Sequence, residues 1–103
     1  MLFDGRTVLN VAGGYGREAY WILSQKPKFL ALCDYSLAQV RQAREYLGEF
    51  DGKYLLSCNG ESLPFKDKSF DVCYITEALH HFVNPKIGIE EFIRVTRGGS
   101  NHR

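Results

Sequence analysis

Residues 7–16 read Thr-Val-Leu-Asn-Val-Ala-Gly-Gly-Tyr-Gly, an apolar run that breaks into a turn of small residues before a helical pattern begins. Small residues let backbone approach a ligand with no side chain in the way, and helix N–H groups then face the turn. The pattern predicts a strand over 7–12, a helix over 15–25 and a ligand site between them. Ala19, Ile22 and Leu23 share the core face of that helix, and Pro27 stops it.

The alternation continues. Residues 29–33, Phe-Leu-Ala-Leu-Cys, form a continuous apolar run, as expected of a central strand covered on both faces. Asp34 ends it, and Ser36 is a suitable N-cap for a helix over 37–47 with Leu37, Val40, Arg44 and Leu47 on one face. Gly48 sits where a terminating glycine belongs. Strands follow over 53–57 and 70–75. Asn84-Pro85 opens a last helix, with Ile89, Phe92, Ile93 and Thr96 as its buried stripe and Gly98-Gly99 at its end. Strands alternating with helices mean an α/β fold with a parallel sheet. Right-handed crossovers give a Rossmann-like, partly doubly wound sheet of strand order 3-2-1-4 with helices on both faces. Its switch point lies between strands one and four, and ligands bind at such a point above the carboxyl ends of the strands.

The chain has 103 residues and a net charge of +1 with both signs interspersed. It is one small domain, with no basic stripe for nucleic acid and no apolar run of membrane-spanning length. Cys33, Cys58 and Cys73 are odd in number and lack zinc spacing, which fits reduced thiols in a cytoplasmic protein. Adjacent His80 and His81 on a helix point about 100° apart and make a poor chelating pair. Trp21 beside Tyr20 is read as helix packing, and Glu77 as a loop acid.

Four segments converge on the predicted crevice: the glycine turn; Asp34, placed to accept two bonds from a ribose diol; residues 58–65, where Asn59 or Glu61 can meet an adenine edge; and residues 76–82. These stretches resemble the motifs of class I S-adenosylmethionine-dependent methyltransferases, in particular the type-11 group that includes quinone-biosynthesis enzymes. The first motif is similar to residues 8–17, the second to 32–36 with 39–44, the next two to 61–65 with 69–72 and to 78–82, and the closing segment to 90–99. All occur in order along nearly the whole chain.

The resemblance implies S-adenosylmethionine as cofactor and methyl transfer to an acceptor that the sequence does not identify. The turn of Ala12, Gly13, Gly14 and Gly16 would hold the methionine end. Asp34 would bind the ribose and Tyr35 would flank the adenine. Asn59 and Gly60 would meet the adenine amine, with Asn10, Glu61 and Thr76 completing the set. Asn10 and Asn59 stand where the family has acids, and Ala12 stands for its first glycine. The resemblance also implies that residues 1–103 are the cofactor-binding half of a seven-stranded domain, incomplete at the C-terminus. The fourth strand would then have an open edge, suited to self-association. Two alternatives are a non-catalytic cofactor-binding remnant or interaction module, and a nicotinamide-binding domain. The latter needs Gly-x-Gly-x-x-Gly, whereas this chain reads Ala-x-Gly-x-Gly-Arg, with Arg17 where a small residue should pack.

Overall fold

A computed structural model describes residues 2–75 and 82–98. Thr76, Glu77, His80, His81 and Gly99 lie outside the described residues. Four parallel strands, β1 (Thr7–Val11), β2 (Phe29–Asp34), β3 (Lys53–Ser57) and β4 (Val72–Tyr74), pair in the expected order β3-β2-β1-β4. Helices α1 (Arg17–Leu23), α2 (Leu37–Tyr46) and α3 (Pro85–Val95) connect or follow them.

Period-two alternation divides the apolar runs between two cores. Val8, Leu30, Leu32 and Val72 face one side and pack with Phe3, Ala19, Ile22, Ala43 and Leu47 under α1 and α2. Leu9, Val11, Ala31, Cys33 and Cys73 face the other, against Leu63, Phe70, Phe92 and Val95 of the crossover and α3. Strand β2 is therefore apolar on every residue from Phe29 to Cys33 because both of its faces are covered.

Several boundaries differ from expectation. Helix α1 starts at Arg17 because Gly16 takes a left-handed φ of 103° as its cap, leaving Tyr15 in the turn. Lys26, at φ 59°, ends the following turn just before Pro27. The buried face of α2 is Val40 and Ala43, continued by Leu47, while Leu37 and Arg44 are exposed. Leu47 is itself the cap residue, and Gly48 is not among the left-handed glycines.

Strand β4 has three residues instead of six, with Phe70 making a lone bridge to Thr96. On α3 the stripe is Gly88, Phe92 and Val95, continued by Thr96. Ile89 and Ile93 are 40 % and 42 % exposed instead of buried. The reason is steric: the Phe82 ring lies where a Cβ on Gly88 would stand, 2.2 Å from that point, so the glycine side of the helix is the side that docks.

A polar clamp registers β4 on β1. Asp71 Oδ2 accepts from the backbone N–H of Thr7 at 2.9 Å and from its hydroxyl at 3.0 Å, and the Asp71 N–H donates to Thr7 O at 2.9 Å. Arg97 donates to the other carboxylate oxygen at 2.9 Å. These bonds hold the Asp71 carboxyl below its ordinary pKa, the Thr7 N–H being the main cause.

Candidate functional site

The turn after β1 is built from backbone conformations that favour glycine. Gly14 has φ 60°, Gly16 has φ 103°, and Ala12 takes φ 56° although it carries a Cβ. Gly13 is needed for another reason. A Cβ there would stand 2.5 Å from Asn10 Oδ1 and 2.7 Å from Leu32 Cγ, so Asn10 and Leu32 fill the space beneath the turn. The Gly13 N–H donates to Cys33 O at 3.2 Å and the Gly16 N–H to Gly13 O at 3.1 Å, so the turn is fastened to β2 and closed on itself.

Asp34, at the tip of β2, joins this turn. Its Oδ2 accepts from the Gly14 N–H at 2.8 Å and its Oδ1 from the Ser36 N–H at 2.9 Å. Each carboxylate oxygen keeps a further lone pair, so the group is held in place and can still accept from a ligand. Ser36 caps α2 by accepting from Gln39 N–H at 3.2 Å. Tyr35 is 82 % exposed beside this point, so any packing on a ligand would come from the ligand covering it.

The segment after β3 reaches the same end of the sheet. The Cys58 N–H donates to Asp34 O at 3.0 Å, extending the β2–β3 ladder past the carboxylate. Asn59 is exposed and its Oδ1 accepts from Glu61 N–H at 2.9 Å, a local turn that leaves its amide nitrogen for other partners. Glu61 has a partner within the chain: its Oε2 accepts from the Asn84 N–H at 3.0 Å, tying the crossover to the start of α3. Gly60 has the Phe82 ring 2.5 Å from its Cβ position, so one ring is seated against both Gly60 and Gly88. The structure thus brings Asn10, Ala12, Gly13, Gly14, Gly16 and Asp34 together around one turn, with Tyr35, Asn59, Gly60 and Glu61 on adjoining segments.

Two thiols sit under this end. Hydrogen bonding to Cys58, together with burial, pushes the Cys33 thiol far up from its ordinary pKa, and the same bond holds Cys58 down. Burial raises Cys73 to about 11.

The pairing of Glu91 and Arg94 on α3 escaped the residue-by-residue reading. Arg94 donates to Leu63 O at 2.9 Å and Phe65 O at 2.8 Å, while Glu91 Oε1 accepts from Leu63 N–H at 2.8 Å. The two side chains also bridge each other at 2.8 Å. They hold the crossover that carries Asn59 and Gly60. The available signal was the Glu-x-x-Arg spacing, which puts both on one helix face.

A parallel 3-2-1-4 sheet with a glycine turn after β1 and a carboxylate at the tip of β2 defines a Rossmann-like α/β scaffold. Residues 9–101 match the Methyltransferase domain family, and the chain belongs to it. It is 30 % identical over 95 residues to a demethylmenaquinone methyltransferase of Paenarthrobacter aurescens, covering 92 % of this chain and 36 % of that protein. It is also 30 % identical over 104 residues to a ubiquinone/menaquinone biosynthesis C-methyltransferase, UbiE, of Xanthomonas oryzae pv. oryzae, covering 96 % and 41 %. The chain therefore spans about two fifths of the length of these relatives. Among solved structures it resembles a putative methyltransferase in complex with the Trm112 methyltransferase activator of Haloferax volcanii. The TM-score is 0.86 at 27 % identity, over 91 % of this chain and 42 % of that one. The YcgJ protein of Bacillus subtilis gives a TM-score of 0.83 at 26 % identity, over 92 % and 41 %.

Proposed function

We propose that this chain is the cofactor-binding half of an S-adenosylmethionine-dependent methyltransferase. The observation that carries the reading is the junction of Asp34 with the glycine turn: one carboxylate, fixed by Gly14 N–H and Ser36 N–H, stands beside a backbone cradle that Cβ atoms would obstruct. The residues present fit the cofactor in a second respect. Buried acceptor oxygens on Asn10 and Gln39 lack partners beside the turn, and the cofactor brings hydrogen-bond donors.

In this reading Asp34 holds the ribose hydroxyls, the turn of Ala12, Gly13, Gly14 and Gly16 holds the amino-acid end, and Tyr35, Asn59 and Gly60 border the adenine. Glu61 completes the rim. The bound cofactor supplies an electrophilic methyl group on a sulfonium, so the protein needs no covalent nucleophile. Its own work is orientation, keeping the methyl donor in line with an acceptor. The relatives named after demethylmenaquinone make a quinone-type ring the first acceptor to assay. Among the described residues no helix is long and apolar enough to cross a membrane. With its three free thiols, this supports placement in the cytoplasm.

The test is calorimetric titration of the chain with S-adenosylmethionine, S-adenosylhomocysteine and NAD. Either adenosyl ligand should bind more tightly than NAD, and Asp34→Ala should weaken it tenfold or more. Losing one charge-assisted bond is worth about 1.5–3 kcal/mol. Tighter uptake of NAD refutes the family assignment of the site. Among the described strands β4 lies at the sheet edge, which also supports self-association through that strand. Light scattering over a concentration series should show a dimer or larger species, and a monomer throughout refutes that part.

A further inference from the structure

Two buried side-chain oxygens among the described residues have no hydrogen-bond partner, Asn10 Oδ1 and Gln39 Oε1. They come from different elements, β1 and α2, yet both abut the same turn. Asn10 Oδ1 lies 2.5 Å from the Cβ position of Gly13, and Gln39 Oε1 lies 3.6 Å from that of Gly14. The orientation of the Asn10 amide is fixed chemically. Its nitrogen donates to Tyr74 O at 3.3 Å, and a carbonyl accepts only from a donor, so the oxygen must face the turn. Asn10 is 1 % exposed, which denies the oxygen bulk water. Native folds rarely leave such acceptors without a protein, water or ligand partner.

The same turn carries a third acceptor, Asp34 Oδ2, at Gly14 N–H. Three side-chain oxygens therefore border Gly13 and Gly14, one of them charged, and the missing component is a donor. A primary ammonium has three donors, no acceptor and a positive charge, which complements this arrangement.

We propose that Gln39 is a further ligand-binding residue, its Oε1 acting with Asn10 Oδ1 to accept hydrogen bonds from the ammonium of the ligand's amino-acid end. This rests on the reading of the site as one for an adenosyl-amino-acid cofactor. It assigns a ligand-binding role to α2, an element that otherwise covers one face of the sheet and carries the Ser36 cap beside Asp34.

The experiment titrates the full chain with S-adenosylhomocysteine, which carries the ammonium, and with 5′-methylthioadenosine, which has the same nucleoside thioether and lacks the amino-acid end. Gln39→Leu should weaken S-adenosylhomocysteine about tenfold, the range for one bond to a charged donor. Its affinity for 5′-methylthioadenosine should stay within about twofold, because that ligand has no group to lose. Gln39→Glu keeps the acceptor and should bind S-adenosylhomocysteine at least as well as wild type. The ligand-free Gln39→Leu chain should melt no lower than wild type, since the change removes an unpaired buried oxygen. Equal losses for both ligands, an unchanged S-adenosylhomocysteine affinity, or a clear drop in the ligand-free melting temperature would each overturn the role of Gln39 while leaving the cofactor reading intact. Failure of the wild-type chain to bind either nucleoside would overturn the cofactor reading and this proposal with it.

Discussion

Replacing Arg94 with methionine tests how the crossover between β3 and β4 is held. The guanidinium makes two bonds to backbone carbonyls, at 2.9 Å to Leu63 and 2.8 Å to Phe65, and Arg94→Met removes both while keeping the apolar stem. Bonds to a charged donor contribute about 1.5–3 kcal/mol each. The Arg94 side chain is 32 % exposed, so water can replace part of what is lost, and the low end of that range applies. Its pair with Asp67 adds little, because Asp67 is 72 % exposed. The expected loss is therefore about 3 kcal/mol, a large part of the roughly 5–15 kcal/mol that holds a domain together. In a domain of this size that lowers the melting temperature by about 12–24 °C. Arg94→Lys keeps the charge without the fork and should recover about half of the loss. Urea denaturation followed by circular dichroism measures both variants. Hydrogen exchange at the Leu63 amide, which donates to Glu91, reports whether the crossover loosens first. An Arg94→Met chain within about 0.5 kcal/mol of wild type would refute the clamp, since surface changes away from special features fall in that range.

Gly13→Ala should destabilise the chain by about 1–3 kcal/mol through overpacking against Asn10 and Leu32, read from urea midpoints; a neutral result would mean that the turn has room to shift. Ala12→Gly should stabilise it by about 0.5–1 kcal/mol in the same assay. Relief of a left-handed alanine is worth about 1–2 kcal/mol, and the added freedom of the unfolded chain takes back about 0.4–1. The Asp71 carboxyl is held below its ordinary pKa by Thr7 N–H, so its contribution is present above about pH 4, its unfolded value, and is lost as pH falls through the lower folded value. Asp71→Asn should flatten the acid limb of a stability–pH curve and lower stability at pH 7; an unchanged acid limb would show that the clamp does not titrate with folding.

Strand order and the two-sided burial of β2 were legible because they follow from crossover handedness and local apolar runs. An apolar run of five residues ending in Asp34 can only be an inner strand with a polar tip, and the glycine turn ends β1 wherever β1 is placed. What the sequence hid lies in partners far apart along the chain. Ile87, Ile89, Phe92, Ile93 and Val95 put apolar residues on most of α3, so periodicity alone does not choose a buried face. The choice falls to Phe82 against Gly88, a contact of shape rather than pattern. Arg94 meets Leu63 and Phe65 across 31 and 29 positions, and Glu61 meets Asn84 across 23. A side chain assigned to a ligand from its motif position can also hold such a partner, as Glu61 does.

Asn10 shows how a departure from the resembled pattern can follow from the packing around it. Strand β4 is only three residues long, and among the described strands it pairs with β1. Its entry is secured by Thr7 and Asp71, and near its exit Asn10 donates to Tyr74 O. An ionised carboxylate at position 10 has no proton to donate and would face the Tyr74 carbonyl with like polarity in a position that is 1 % exposed. Asparagine is the isosteric residue that supplies the donor to β4 and still turns an oxygen toward Gly13. The amide therefore serves two ends at once. Its nitrogen fixes β4 to β1, and its oxygen faces the turn after β1. A short strand needs the first function, and the proposed cofactor would use the second, so a neutral residue here fits the proposed binding turn.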